Sequence, residues 1–141
     1  MKRNASAHWA GDLKTGKGTV STESGVLSKT QYSFSTRFEN GAGTNPEELI
    51  AAAHAGCFSM AFSGQLGAAG LTAESIDTTA TVTFEKLDAG FTVTESHLVM
   101  KAKVPGATKE AFDTAAANAK AGCPISRLLN TKITLDAQLV S

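Results

Sequence analysis

The chain lacks an excess of charge: 13 basic and 13 acidic residues are spread along 141 positions and leave a formal net charge of +0. That argues against nucleic acid or an anionic membrane as the main partner, since both are held by a basic surface. The start, MKRNASAHWAGD, has two basic residues but no apolar run behind them. The expectation is therefore a protein without a secretory signal that stays in the cytoplasm. Cysteine is scarce as well. Cys57 and Cys123 are the two in the chain, 66 residues apart and not in a C-x-x-C arrangement. In a reducing compartment a structural disulfide is not expected, and any bond between them would be transient and catalytic. Repeats, linkers, low-complexity tracts and a dinucleotide-binding fingerprint are missing too. A chain of this length suits one domain, spanning 1–141, with a core large enough to need no staple.

What is present is organised around residues 45–70, NPEELIAAAHAGCFSMAFSGQLGAAG. Asn45 suits an N-cap, Pro46 the first helical position, and Glu48 the N3 position of a capping box, while Gly70 supplies a stop. Leu49, Ile50, Ala53, Cys57, Phe58, Met60, Phe62 and Leu66 cannot be gathered on one stripe, which reads as a helix buried on every side. His54, Ser59, Ser63, Gln65 and the glycines interrupt it too often for a membrane span of roughly 20 apolar residues.

Around this helix the pattern gives short strands at 5–9 and 17–24. Tyr32, Phe34, Thr36 and Phe38 then alternate with polar residues as in a half-buried strand, with Arg37 on the outer face. A hairpin follows, with Ile76, Thr78, Ala80, Val82 and Phe84 on one face, a turn at 88–90 and a return over 91–104. The apolar phase changes within the return strand, so a bulge or a change of buried face is expected near 95–97. A second helix covers 108–122, a third short one starts at Cys123-Pro124, and Ile133, Leu135, Ala137 and Leu139 close the chain as a strand. The order β-β-β-α-β-β-α-α-β gives an α+β fold of hairpin-rich antiparallel sheets around a long central helix. One subunit has too little material to cover that helix, so a dimer in which two such helices share a core is expected.

Several side chains could carry chemistry. Cys57 reads either as a small buried apolar group or as a nucleophile, and the second requires a nearby cation to hold it as a thiolate. Cys123, at the start of the last helix, would be favoured as a thiolate by free N–H groups and the dipole, or simply joins two helices. Arg37 reads as a solvent-facing strand residue and Glu48 as a capping carboxylate, unless both act on the thiol. Glu48 and Cys57 are 9 positions apart, about 900° of rotation, and so lie on opposite faces of one helix. Glu48 could then reach a Cys57 only from another subunit. His54 shares a face with Cys57 and could pair with it, or satisfy a buried hydrogen bond. A zinc site from Cys57, His54 and Cys123, and a non-enzymatic pocket for apolar molecules, are the rival readings. His8 and His97 suggest no partners.

The stretches HWAGDLKTGKGTVSTESGVL, FSTRFENGAGTNPEELIAAAHAGCFSMA, SIDTTATV and AKAGCPISRLL together resemble the OsmC/Ohr family of thiol peroxidases over nearly the whole chain. The resemblance implies an intertwined homodimer that reduces organic hydroperoxides to alcohols with no metal, flavin or haem. It implies that Cys57 attacks the peroxide, that Cys123 resolves the oxidised sulfur as a disulfide, and that Arg37 and Glu48 form an activating pair brought by the partner subunit. The reductant implied is a dithiol of the dihydrolipoyl kind. The apolar neighbours Phe58, Met60, Phe62, Leu128 and Leu129 would favour alkyl or lipid hydroperoxides over hydrogen peroxide.

Overall fold

The computed structural model describes residues 1–140, which fall into two compact units, 1–49 and 50–140, with the division in the first turn of the long helix. In the first unit, β1 (Ala5–Ala10), β2 (Lys17–Thr22) and β3 (Thr30–Tyr32) form an antiparallel sheet in that order. Its register places Gly18 between Trp9 and Tyr32, whose rings lie 5.5 Å apart. A Cβ on Gly18 would come within 2.5 Å of the Tyr32 ring and 2.6 Å of the Trp9 ring, so glycine is what lets the two aromatics meet.

The strand expected through residue 38 stops at Tyr32. Phe34–Phe38 is a short helix, α1, started by Ser33: its hydroxyl accepts from the Thr36 amide while the Thr36 hydroxyl accepts from the Ser33 amide. This reciprocal cap satisfies donors that an extended chain would leave to a neighbouring strand. It also places Phe34 and Phe38 one turn apart, with ring centroids at 4.7 Å. Arg37 is therefore a helix residue in the last turn, not a strand residue.

The central helix, α2 (Pro46–Ala68), forms as expected. The Asn45 side chain accepts from the Glu48 amide at 2.8 Å and donates to the Thr36 carbonyl at 3.0 Å, tying the N-terminus of α2 to α1. The Glu48 carboxylate does not close a capping box; it accepts from the Thr44 hydroxyl at 2.7 Å. By length and composition α2 would qualify as a membrane span, with a mean hydropathy of 1.2. Within one chain it is buried along a single stripe, His54, Phe58, Phe62 and Leu66. Ala52, Ala53, Gly56, Ser63 and Gly64 are exposed, and Met60 is 79% exposed. The expectation of burial on every side is not met by one copy, because a three-stranded sheet and two helices cover only the inward stripe.

In the second unit β4 (Ser75–Leu87) and β5 (Gly90–Lys103) form the hairpin, closed at Asp88-Ala89. The bulge falls between the pairs Thr83–Glu95 and Phe84–Val93, leaving Thr94 as the extra residue. After it, Ser96, Leu98, Met100 and Ala102 are buried and their neighbours face outward. The chain then crosses over through α3 (Lys109–Gly122) and α4 (Pro124–Leu128). β6 (Lys132–Leu139) returns beside β5 in parallel, giving the order β4-β5-β6. The all-antiparallel expectation fails at this strand, because a crossover carrying two helices delivers the chain back to the same end of the sheet. All twelve buried apolar side chains lie in this unit. Phe62 meets Phe58 at 6.3 Å and Phe112 edge-on at 5.3 Å, and each such side chain contributes about 1.5–3 kcal/mol through burial.

Candidate active site

α2 presents Cys57 from the middle of its length, where a helix dipole gives it no help. Cys123 closes α3 and opens α4, its amide donating to the Ala119 carbonyl at 2.9 Å. The packing of α3 and α4 against α2 brings these two free thiols together: Cys123 Sγ lies 2.8 Å from Cys57 Sγ. A disulfide needs about 2.05 Å, so a bond between them requires the sulfurs to move by less than 1 Å. Exposure distinguishes the two sulfurs. Cys57 is partly exposed and Cys123 is fully buried, so a reagent from solvent meets Cys57.

The electrostatics around Cys57 are those of an unactivated thiol. Burial is the largest influence and pushes it above its ordinary value; the hydrogen bond with Cys123 adds to this, and a hydrogen bond from the Ile125 amide works the other way. A nucleophilic Cys57 therefore has to be matched with a positive charge.

His54, one turn before Cys57, is fully buried and makes neither a pair with Cys57 nor a metal ligand. Its Nδ1 is 2.7 Å from the Ser96 hydroxyl and its Nε2 is 2.7 Å from the Ser126 hydroxyl. With both ring nitrogens engaged, the zinc reading loses its third donor, and burial lowers the pKa of the ring so that it stays neutral. Ser96 and Ser126 were not singled out by sequence. The signal available for Ser126 was its place in the Cys123-Pro-x-Ser run, and for Ser96 a polar residue at the phase change of β5. His97 does have partners: its Nδ1 lies 2.6 Å from the Thr134 hydroxyl and its Nε2 3.2 Å from the Asp136 carboxylate, on the outer face of the sheet.

Arg37 and Glu48 belong to the first unit. Arg37 is held by Glu47, through Nε to Oε1 at 3.1 Å and to Oε2 at 3.3 Å, and through Nη2 to Oε1 at 2.8 Å. The pair expected with Glu48 is thus made by its neighbour. Consecutive helical residues point about 100° apart, and it is Glu47 that faces α1 while Glu48 faces Thr44. The guanidinium also lies 5.5 Å over the Phe38 ring. Beside it is a cavity of about 280 Å³ lined by Trp9, Leu13, Tyr32, Ser33, Phe34, Arg37 and Phe38. Of the apolar neighbours named for Cys57, Phe58 and Phe62 are sealed in the core, whereas Met60 and Leu128 are 79% and 72% exposed.

Residues 39–138 match the OsmC family, described as OsmC-like protein. The chain is 58% identical to the peroxiredoxin OsmC of Escherichia coli over 141 residues, covering 100% of this chain and 99% of that one. Its backbone resembles an organic hydroperoxide resistance protein from Legionella pneumophila, with a TM-score of 0.71 at 23% identity over 100% of this chain and 98% of that one. It also resembles the organic hydroperoxide resistance protein OhrB of Bacillus subtilis, with a TM-score of 0.68 at 20% identity over 97% and 98% of the two chains.

Proposed function

This chain belongs to the OsmC family, and from that membership and its thiol pair we propose that it is a two-cysteine peroxidase that reduces organic hydroperoxides to alcohols. The observation that carries the proposal is the contact of a partly exposed sulfur, Cys57, with a buried one, Cys123, at 2.8 Å. In the first step the Cys57 thiolate attacks the outer peroxide oxygen. The O–O bond breaks, the alkoxide leaves and takes up a proton as the alcohol, and Cys57 becomes a sulfenic acid. The Cys123 sulfur then attacks the Cys57 sulfur, water leaves, and a disulfide joins the two. An external dithiol, of the dihydrolipoyl kind, reduces that disulfide and is itself oxidised to a cyclic disulfide.

The charge that ionises Cys57 is assigned to Arg37 of a second copy. A guanidinium keeps its proton, can face a thiolate and can donate to a peroxide oxygen. Glu47 orients it by a two-point fork, and Glu48, through Thr44, holds the turn that feeds α2. Glu48 as part of an activating pair is thereby replaced by Glu47. A homodimer suits the half-covered α2, since Met60 and the small residues beside it would be buried against a partner. The aromatic cavity beside Arg37 suits the apolar tail of an alkyl or aryl hydroperoxide. Regeneration by a dithiol belongs in a reducing compartment, which makes the cytoplasm the proposed location.

Thiol titration before and after one equivalent of cumene hydroperoxide tests the reading. The native protein should lose both thiols, Cys57→Ser neither, and Cys123→Ser only Cys57, which stops as a sulfenic acid. Retention of both thiols by the native protein would favour the non-enzymatic pocket and overturn the proposal.

A further inference from the structure

Three groups on three elements meet at His54. The ring sits on α2 one turn before Cys57, Ser96 is a fully buried residue of β5, and Ser126 is the third residue of α4. Both contacts are 2.7 Å long. α4 is only five residues long and none of them is fully buried, so Ile125, partly buried against the core, is its main apolar hold. Yet the cap of α4 delivers the Cys123 thiol to the Cys57 sulfur at 2.8 Å, and Ile125, two residues on, is the backbone amide that works on the Cys57 thiol from this side. Ser126 is the residue next to Ile125.

We propose that His54 is a positioning residue: by bridging Ser96 and Ser126 it locks α4 onto α2 and so sets the approach of Cys123 to Cys57. This deepens the reading of Cys57 and Cys123 as a redox pair and rests on it. The bridge uses a neutral ring, one nitrogen donating to a serine oxygen and the other accepting from a serine hydroxyl. Because burial disfavours the charged ring, the arrangement has one stable hydrogen-bonding pattern per tautomer and no repulsion to spread it. β5, in the middle of its sheet, supplies the fixed end, and Ser126 is the movable end. Without the Ser126 hydroxyl, α4 keeps its chain connections but loses its polar anchor. The local concentration of the Cys123 sulfur at Cys57 must then fall.

The test is a redox equilibrium rather than a peroxidase assay. The full-length protein is equilibrated with mixtures of reduced and oxidised dithiothreitol, and the oxidised fraction is read by alkylation and mass spectrometry. Two thiols of the protein and one cyclic disulfide exchange two electrons and two protons with no other reagent. Ser126→Ala should lower the constant for Cys57–Cys123 disulfide formation by about tenfold or more, the scale of one well-made buried hydrogen bond, equivalent to about 30 mV. Ser126→Thr, which keeps a hydroxyl, should restore it to within about threefold. Ser59→Ala is the control: it removes side-chain hydrogen bonds from the same helix to the Ala55 carbonyl and the Thr78 hydroxyl and should leave the constant unchanged. A wild-type constant in Ser126→Ala, or an equal fall in Ser59→Ala, would overturn the proposal. A native protein that ignores hydroperoxide would overturn the peroxidase reading instead, while the dithiothreitol constant would still report the bridge.

Discussion

Glu47 and Glu48 stand side by side in the first turn of α2, and replacing each in turn separates their roles. Glu47 offers two oxygens to Arg37 in a fork of three contacts between 2.8 and 3.3 Å. Its side chain is 12% exposed and that of Arg37 38%. A hydrogen bond to a charged group is worth about 1.5–3 kcal/mol, and the exposure of the arginine reduces this toward the surface-pair scale, giving about 1–2 kcal/mol for the orientation of the guanidinium. If that orientation matters only when the thiolate meets the peroxide, the loss shows in the rate. At 1.36 kcal/mol per factor of ten, Glu47→Gln should lower kcat/KM for an alkyl hydroperoxide about 5- to 30-fold, and Glu47→Ala somewhat more. Glu48→Gln keeps an acceptor for the Thr44 hydroxyl and should stay within about threefold of native. The assay is steady-state alcohol formation with saturating dithiol, alongside a thermal unfolding scan in which both variants should lie close to native. A larger loss in Glu48→Gln than in Glu47→Gln would refute the assignment of the fork.

Three further outcomes follow from the same geometry. Met60→Lys puts a charge on the exposed apolar stripe of α2 and should shift the protein from dimer toward monomer in analytical ultracentrifugation, with activity falling in step. His54 is held neutral by burial, so its folded pKa lies below its unfolded value of about 6.5. Below that pH the unfolded chain binds a proton that the folded chain does not, and stability falls by up to about 1.4 kcal/mol per pH unit; a His54→Gln variant should show a flatter dependence of the unfolding midpoint between pH 7 and 5. Phe62→Ala removes the ring that packs on both Phe58 and Phe112 and should cost about 3–5 kcal/mol in denaturant unfolding.

The parts of the fold that were legible were those specified locally. Asn45-Pro46 and Gly70 bracket α2, the helix over 108–122 stands out by its apolar spacing, and the one-residue phase change in the return strand marks the bulge within a residue or so. Where the reading went astray, two local codes competed or a distant one decided. Residues 33–38 alternate polar and aromatic as a strand would, yet Ser33 and Thr36 are spaced to cap each other, and that cap prevailed. The parallel placement of β6 depends on where the α3–α4 crossover delivers the chain, which alternation within the strand cannot encode. Glu47 and Glu48 are chemically the same, and only the direction of α1 relative to α2 distinguishes them. The meeting of the two thiols was implied by the family resemblance and not by the local pattern. Cys57 and Cys123 are 66 residues apart, and their meeting depends on the packing of three helices.

In the proposed cycle, the order of events at the two sulfurs follows from burial rather than from helix polarity. A dipole argument favours Cys123 as the first nucleophile, but α4 has five residues, too few to build an appreciable end charge. Cys123 is also sealed from solvent, so a peroxide carrying an alkyl group cannot reach it without displacing core side chains. Cys57 is reachable, but its burial works against ionisation, and the Cys123 contact adds to that. The two sulfurs therefore have complementary defects: one is inaccessible and the other is too weakly acidic. In the proposed dimer, Arg37 of a second copy would correct the second defect without touching the first. In that cycle, the burial that would make Cys123 useless as an attacker would keep it reduced and in place until Cys57 has been oxidised. On the proposed reading chemistry is tied to assembly, because the group that ionises Cys57 would arrive together with the partner that covers α2.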